Sequence, residues 1–254
     1  MVDETPILGI PEIDQPLSSA LPMGWLALLK GSTGAGSSVL AKQFAHAGVG
    51  TVPVLFYTTY ERTEDVRQSF TDFGWDPDGV KIVNLADEYY ERVLVRGLEV
   101  AKARERGLGF EGLVREQLGE RPATTFRLTD RMLADLQAID APFRLVVDSI
   151  DFFFEILAPR DVTTVARQIR HRCQTIGGQA LITLHTSLQD RATAAVLQDL
   201  ADVVLDLRAE PEADHYAHTL SVEKVGHRPN LTRIWKASLG ETGWGVRAPE
   251  STPR

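Results

Sequence analysis

The sequence predicts an α/β fold, a mostly parallel central sheet flanked by helices with antiparallel strands late in the chain, and three observations predict it. The apolar run Trp25 to Leu29 passes through a glycine-rich loop into a helical pattern in which Val39, Leu40, Gln43 and Phe44 share one face. Phe143 to Asp148 is a second β-forming run, mostly apolar, that closes on a carboxylate. Between and after these anchors, short apolar β-rich runs alternate with helical patterns. The last runs, Asp202 to Arg208, His218 to Lys224 and Thr232 to Lys236, read as late strands, the final two alternating as antiparallel edges do.

Taken in order, residues 7–24 form a turn-rich lead-in punctuated by three prolines and two glycines. Val52 to Thr58 is a good core strand, and Glu64 to Asp76 follows as a helix with Val66, Phe70 and Phe73 on one face. Lys81 to Leu85 reads as a third strand, and residues 87–140 as mostly helical with charged faces. Within them Glu99 to Arg106 is either a solvated helix face or a partner surface. Phe152 to Leu157 reads as core or subunit contact. Thr163 to Cys173 reads as a helix whose Arg167, Arg170 and Arg172 face solvent, and Gln179 to Thr186 as a buried strand ending in polar residues.

A chain of 254 residues, 43% hydrophobic, can bury the core of one large domain. That domain is expected over 1–254, with the lead-in at 7–24, the core at 25–236 and a C-terminal tail from about 247. The net charge of −8 disfavours a general nucleic-acid or anionic-membrane binder. The single Cys173 excludes an intramolecular disulfide and a cysteine-based zinc site. No apolar run reaches the length of a membrane span, and Met1 to Asp14 lacks the order of a signal peptide, so a cytoplasmic location is expected.

The loop carries the chemistry. In the spelling G-x-x-x-x-G-K-[ST], backbone N–H groups cradle phosphates, the lysine reaches the outer phosphates and the hydroxyl binds magnesium. Gly31 and Gly36 keep this spacing and Ser38 keeps the hydroxyl, but Ser37 stands in place of the lysine. The candidate nucleotide-binding residues are therefore Gly31, Ser32, Thr33, Gly34, Ala35, Gly36, Ser37 and Ser38. The competing reading is an ordinary strand–turn–helix. Asp148, closing its strand, either orients a magnesium ion with Ser38 or caps the next helix.

The lead-in resembles that of the RecA superfamily, and in particular its KaiC-like branch, where it runs G-[IV]-x-x-[LF]-D-x-x-L-G-G-G-[IL]-P-x-G. Gly9, Ile10, Ile13, Asp14, Leu17, Leu21, Pro22 and Gly24 match, whereas Ser18, Ser19 and Ala20 replace the glycine triplet. The strand ending near a glutamate pair, followed by a helix that closes on Phe73-Gly-Trp-Asp76, is similar too. The resemblance runs from about Gly9 to Lys236 and implies a RecA-like P-loop core that binds ATP or ADP with magnesium, as a homo-oligomer with nucleotide at subunit boundaries.

Three charged positions depart from the pattern. Ser37 replaces the lysine; Tyr60 replaces the first, water-activating glutamate and leaves Glu61 as the candidate catalytic residue, or as a plain solvated carboxylate. Lys224 matches the basic residue that reaches the neighbouring subunit's nucleotide, but Gly226 replaces the arginine beyond it. Neither Lys30 nor Lys42 has the register to stand in for the missing lysine. The resemblance with these losses implies a weakened or vestigial nucleotide site with weak or no hydrolysis. Its expected role is regulatory or in assembly, through oligomerisation and an unidentified protein partner. The alternative is a slow magnesium-dependent ATPase using Ser38, Asp148 and Glu61, while a recombinase-like DNA binder suits the fold but not the acidic charge balance.

Overall fold

Every residue of the runs Trp25–Gly31, Val54–Thr58 and Arg144–Asp148 is buried, which a strand achieves only in a sheet covered on both faces. The computed structural model describes residues 6–91, 123–186, 191–226 and 228–247; the stretch Glu99 to Arg106 lies outside them. In chain order the described elements are α1 (Pro11–Ser18), β1 (Trp25–Gly31), α2 (Ser37–His46), β2 (Val54–Thr58), α3 (Thr63–Asp72) and β3 (Val80–Asn84). They continue with α4 (Ala123–Gln137), β4 (Arg144–Asp148), α5 (Asp151–Ile156), α6 (Pro159–Ile176), β5 (Gln179–His185) and α7 (Arg191–Leu200). The chain then runs through β6 (Val203–Glu212), β7 (His215–Val225), β8 (Arg233–Gly240) and β9 (Gly243–Arg247).

Among the described residues these strands form one nine-stranded sheet in the order β3-β2-β4-β5-β1-β6-β7-β8-β9. The pairs from β3 across to β6 are parallel, and those from β6 to β9 antiparallel. This is the α/β architecture expected from the sequence. Strand alternation splits the core in two: Trp25, Ala27 and Leu29 of β1 face the layer with α1, α2 and α3, while Leu26 and Leu28 face α4 to α7. Phe152 and Phe153 of α5 are buried in the second layer, so that segment is core.

Two arginines expected in solvent are used structurally. Arg170 makes a bidentate pair with Asp202 (2.6 and 3.1 Å), whose other contact is the Leu26 amide. Arg172 donates to the Leu136 and Gln137 carbonyls at the end of α4 and to that of Ile139 just beyond it, satisfying acceptors a helix C-terminus leaves open. The helical spacing of the sequence marks these residues as a face but cannot say which element packs against it.

The lead-in owes its shape to two charges. Asp14 accepts the Leu8, Gly9 and Ile10 amides at 2.7, 2.9 and 3.1 Å, folding the segment onto the start of α1. Arg144, at the head of β4 and fully buried, donates to the Ile7 and Phe44 carbonyls (3.1 and 2.5 Å) and to that of Pro6, with its guanidinium 4.7 Å over the Phe44 ring. Gly24 ends the lead-in where a Cβ would lie 2.0 Å from the Cys173 carbonyl oxygen; only glycine allows β1 to pass the end of α6 so closely. The sheet continues past Lys236 into β9, which returns to the foot of α2.

Candidate functional site

Parallel strands end together, so the sheet register decides which residues meet. Gly31 at the end of β1 is level with His185 at the end of β5, and Thr58 of β2 is level with Asp148 of β4. The glycine-rich loop, the Thr58–Glu61 turn, Asp148 and His185 therefore share the C-terminal edge of the sheet, the rim where open α/β folds bind ligands.

The loop leaves β1 at Gly31 and enters α2 through Gly36, whose φ of 86° is left-handed. Ala35 N–H closes a turn onto the Ser32 carbonyl (3.0 Å), and nothing lies within 4 Å of a Cβ built on Gly34, so the loop's apex is open. The first amides of α2 lack intrahelical acceptors and bear the positive end of the helix dipole. Ser37 is buried, tucked beneath Gly31, where an added Cβ would lie 3.1 Å from its own. From the other side Trp244 of β9 braces the loop: its indole N–H donates to the Gly36 carbonyl (3.1 Å), and its backbone exchanges bonds with the Gln43 amide (2.6 and 3.0 Å). A Cβ on Gly36 would stand 2.6 Å from the Trp244 ring.

One turn into α2, three side chains converge. Ser38 Oγ donates to Glu61 Oε1 at 2.6 Å; Lys42 Nζ donates to Ser38 Oγ at 3.1 Å and to both Glu61 oxygens at 2.8 and 2.7 Å. The Lys42 side chain is only 3% exposed, that of Glu61 34%. Lys42 thus does not take the place of the loop lysine, as its register implies, but it does engage the hydroxyl beside it. Measured from Ser37 it lies beyond a helical turn, but it is at i+4 from Ser38 and so on the same face. Glu61 is fixed in turn: its backbone trades hydrogen bonds with the Thr58 hydroxyl (3.1 Å each way), and Asn84 Nδ2 donates to its carbonyl (3.0 Å). Lys30 is occupied elsewhere, paired with Glu223 at 2.7 Å and with Asp206 at 3.8 Å.

Asp148 is buried and accepts the Thr183 hydroxyl at 2.6 Å. Beside it, buried Asp151 accepts both the backbone N–H of His185 and its ring Nδ1–H at 2.9 Å. The Asp151 hydrogen bond, opposed by burial and aided by the Asp151 and Asp148 charges, raises the His185 pKa above 6.5. Tyr60 packs edge-on against His185, ring centres 6.3 Å apart. Partial burial first, then the Glu155 and Asp151 charges, push its hydroxyl up to about 12, so it stays a neutral phenol at neutral pH and is no base in place of a glutamate. Lys224 Nζ donates to the Gln198 and Asp199 carbonyls at the end of α7 (2.9 and 2.7 Å).

The structure thus gathers Gly31 to Ser38, Glu61 and Asp148 on one rim, and engages Lys224 with α7. Sequence reasoning missed Trp244, the contact of Lys42 with Ser38 and Glu61, and Asp151 as the partner of His185, the histidine at the polar end of its strand; the i, i+4 spacing of Ser38 and Lys42 was the one signal available. An open loop at a helix N-terminus fits the phosphates of a nucleotide. The Ser38 position does not fit a divalent cation as it stands, because an ammonium already lies against its hydroxyl and the neighbouring carboxylate. Among the described residues no group of three or more His, Cys, Asp or Glu could hold a metal ion.

A family model described as "ATPase: KaiC" matches residues 7–249. A UPF0273 protein of Methanopyrus kandleri is 27% identical over 165 residues, 65% of this chain and 58% of the relative. Another, from Pyrobaculum aerophilum, is 39% identical over 69 residues, 26% of this chain. The circadian clock oscillator protein KaiC of Rippkaea orientalis is 37% identical over 65 residues, 25% of this chain. The chain thus matches 58%, 24% and 12% of these relatives' own lengths. Among solved structures, the crystal structure of a KaiC-like protein from Pyrococcus horikoshii OT3 superposes with a TM-score of 0.65 at 20% identity, covering 96% of this chain and 97% of that one. The likeness extends over the fold as a whole. Among the described residues no helix is long and apolar enough to cross a membrane.

Proposed function

Because the chain belongs to the KaiC family of ATPases, whose model spans residues 7–249, we propose that it binds ATP or ADP through its loop backbone and hydrolyses it weakly or not at all. Its work is then regulatory or in assembly, exerted on copies of itself and on a protein partner. Family membership implies nucleotide binding. The observation that carries the finer reading is the rearrangement around Ser37: the loop remains open at Gly34, whereas the position of its lysine holds a buried serine. Backbone donors survive the loss of a side chain. Losing one charge-assisted hydrogen bond of about 1.5–3 kcal/mol weakens binding roughly ten- to several-hundredfold, which still leaves a measurable site.

Turnover is affected more. Tyr60 is no base, and Glu61 is committed to Lys42 and Ser38. Removing a donor aimed at transition-state charge costs on the order of 10²–10³ in rate. Incubation of purified protein with radiolabelled ATP and magnesium is expected to give no phosphate above the level of an Asp148→Ala variant. Magnesium-dependent phosphate release that Asp148→Ala abolishes would replace this reading with that of a slow ATPase. A protein-partner role draws support from the antiparallel end of the sheet, where Tyr216, Ile234 and Leu239 stand exposed.

A pH effect is expected at the His185–Asp151 pair. A histidine whose folded pKa is raised contributes stability that is fully present below its unfolded value and is lost as pH rises through the folded one. The window therefore opens near 6.5 and extends upward. The melting temperature of the wild type should fall across it relative to His185→Gln, and the two curves should run parallel at higher pH. Parallel curves throughout would show that the pair is uncoupled from folding.

A further inference from the structure

We propose that the ε-ammonium of Lys42 stands in for the divalent cation of this site, so that the site binds polyphosphate without a metal. An ammonium has three N–H donors, and the structure gives each one an oxygen: Ser38 Oγ at 3.1 Å and the two Glu61 oxygens at 2.8 and 2.7 Å. Hydroxyl and carboxylate oxygens are also what a hard cation takes. Ser38 Oγ, the hydroxyl a phosphate loop offers to magnesium, gives its own proton to Glu61 Oε1 at 2.6 Å, so the three groups close on one another.

The arrangement is held from outside. The Lys42 stem is buried, Ser38 and Lys42 lie on one face of α2, and the Glu61 backbone is pinned by Thr58 and Asn84. A divalent ion entering beside Ser38 has to displace the ammonium from all three oxygens. The positive charge that other phosphate loops divide between a lysine at the loop and a bound ion is here reduced to one resident group. Ser37 in place of lysine and Lys42 against Ser38 thus describe one change: the side-chain cation has moved one turn down the helix, from the phosphate's edge to the metal's position.

The nucleotide part of this inference rests on the proposed function; the metal part does not, and the experiment separates them. Mn²⁺ is titrated without nucleotide, followed by water-proton relaxation, into wild type, Lys42→Met and Lys42→Met/Glu61→Gln. Lys42→Met should bind Mn²⁺ at least about tenfold more tightly than wild type, the effect of removing a charge-assisted competitor. The added Glu61→Gln change should abolish that gain. ATP is then titrated calorimetrically in excess EDTA and in magnesium. Wild type should bind equally in both within about threefold, Lys42→Arg should keep that metal independence, and Lys42→Met, with the cation position freed, should bind at least about tenfold more tightly in magnesium than in EDTA.

A wild-type Mn²⁺ site removed by Glu61→Gln would overturn the proposal, as would wild-type ATP affinity that rises more than about tenfold with magnesium. Absence of any Mn²⁺ gain in a folded Lys42→Met would overturn it too. ATP binding absent from every arm, with the Mn²⁺ gain present, would defeat the proposed function while upholding the substitution of ammonium for metal. The wild-type and Lys42→Arg arms decide the matter if Lys42→Met does not fold.

Discussion

Replacing Arg144 with methionine is expected to destabilise the fold by about 3–5 kcal/mol, because several carbonyls lose charge-assisted hydrogen bonds of about 1.5–3 kcal/mol each, offset in part by relief of the arginine's own desolvation. Its guanidinium is the common donor to three carbonyls from two separate parts of the chain, Pro6 and Ile7 in the lead-in and Phe44 in α2. Methionine fills much of the space but leaves the Ile7 and Phe44 carbonyls without this donor in the interior. Burial already draws the Arg144 pKa down to about 10, and the Asp14 charge opposes that shift, so the charge is held against a real desolvation cost. Lysine should not rescue it, because an ammonium lacks the planar fork that reaches three directions. Urea unfolding with an unchanged m-value checks the prediction; a loss below about 1 kcal/mol would mean that water replaces the guanidinium.

Gly36→Val is expected to cost about 2–5 kcal/mol and to remove nucleotide binding. A β-branched residue at a φ of 86° adds about 1–2 kcal/mol of backbone strain. Its Cβ also collides with the Trp244 ring at 2.6 Å, and overpacking of that kind costs about 1–3 kcal/mol. The two contributions separate in a double-mutant cycle. Trp244→Ala should relieve the collision but not the strain, so the double variant should recover only part of the lost stability. Recovery in full would mean the loop accommodates a side chain at Gly36, and that its glycine serves only to admit the indole.

What the sequence made legible here was local. The strand–loop–helix at 25–44, the buried strand ending at Asp148 and the antiparallel character of the late strands each follow from spacing within a few residues. The lead-in was recognisable as a pattern, and the structure supplies its reason: Asp14 gathers three amides, and Gly24 slips past the Cys173 carbonyl. What escaped reading was long-range. Trp244 meets Gln43 across 201 positions, and no periodicity near either residue signals the other. Arg170 and Arg172 scan as a solvated face because helical spacing is silent about the acceptors on β1's neighbour Asp202 and at the end of α4.

Lys42 is the instructive case. Counting along the chain from the missing lysine places it out of reach, whereas counting from Ser38 places it on the same helical face, and Glu61 arrives from the turn after β2 to complete the contact. The site's charge distribution depends on that third residue, which sequence distance alone does not connect to α2.

The measurement that bears most directly on the proposed nucleotide site is isothermal titration of the wild-type protein with ATP, run beside Gly36→Val. Heat that fits a dissociation constant between about 10 μM and a few millimolar, and that vanishes in the variant, is the predicted result for a loop that holds phosphate by its backbone. No heat and no thermal stabilisation at several millimolar ATP would contradict it, and would leave a KaiC-family fold whose surfaces, not its phosphate loop, carry the function.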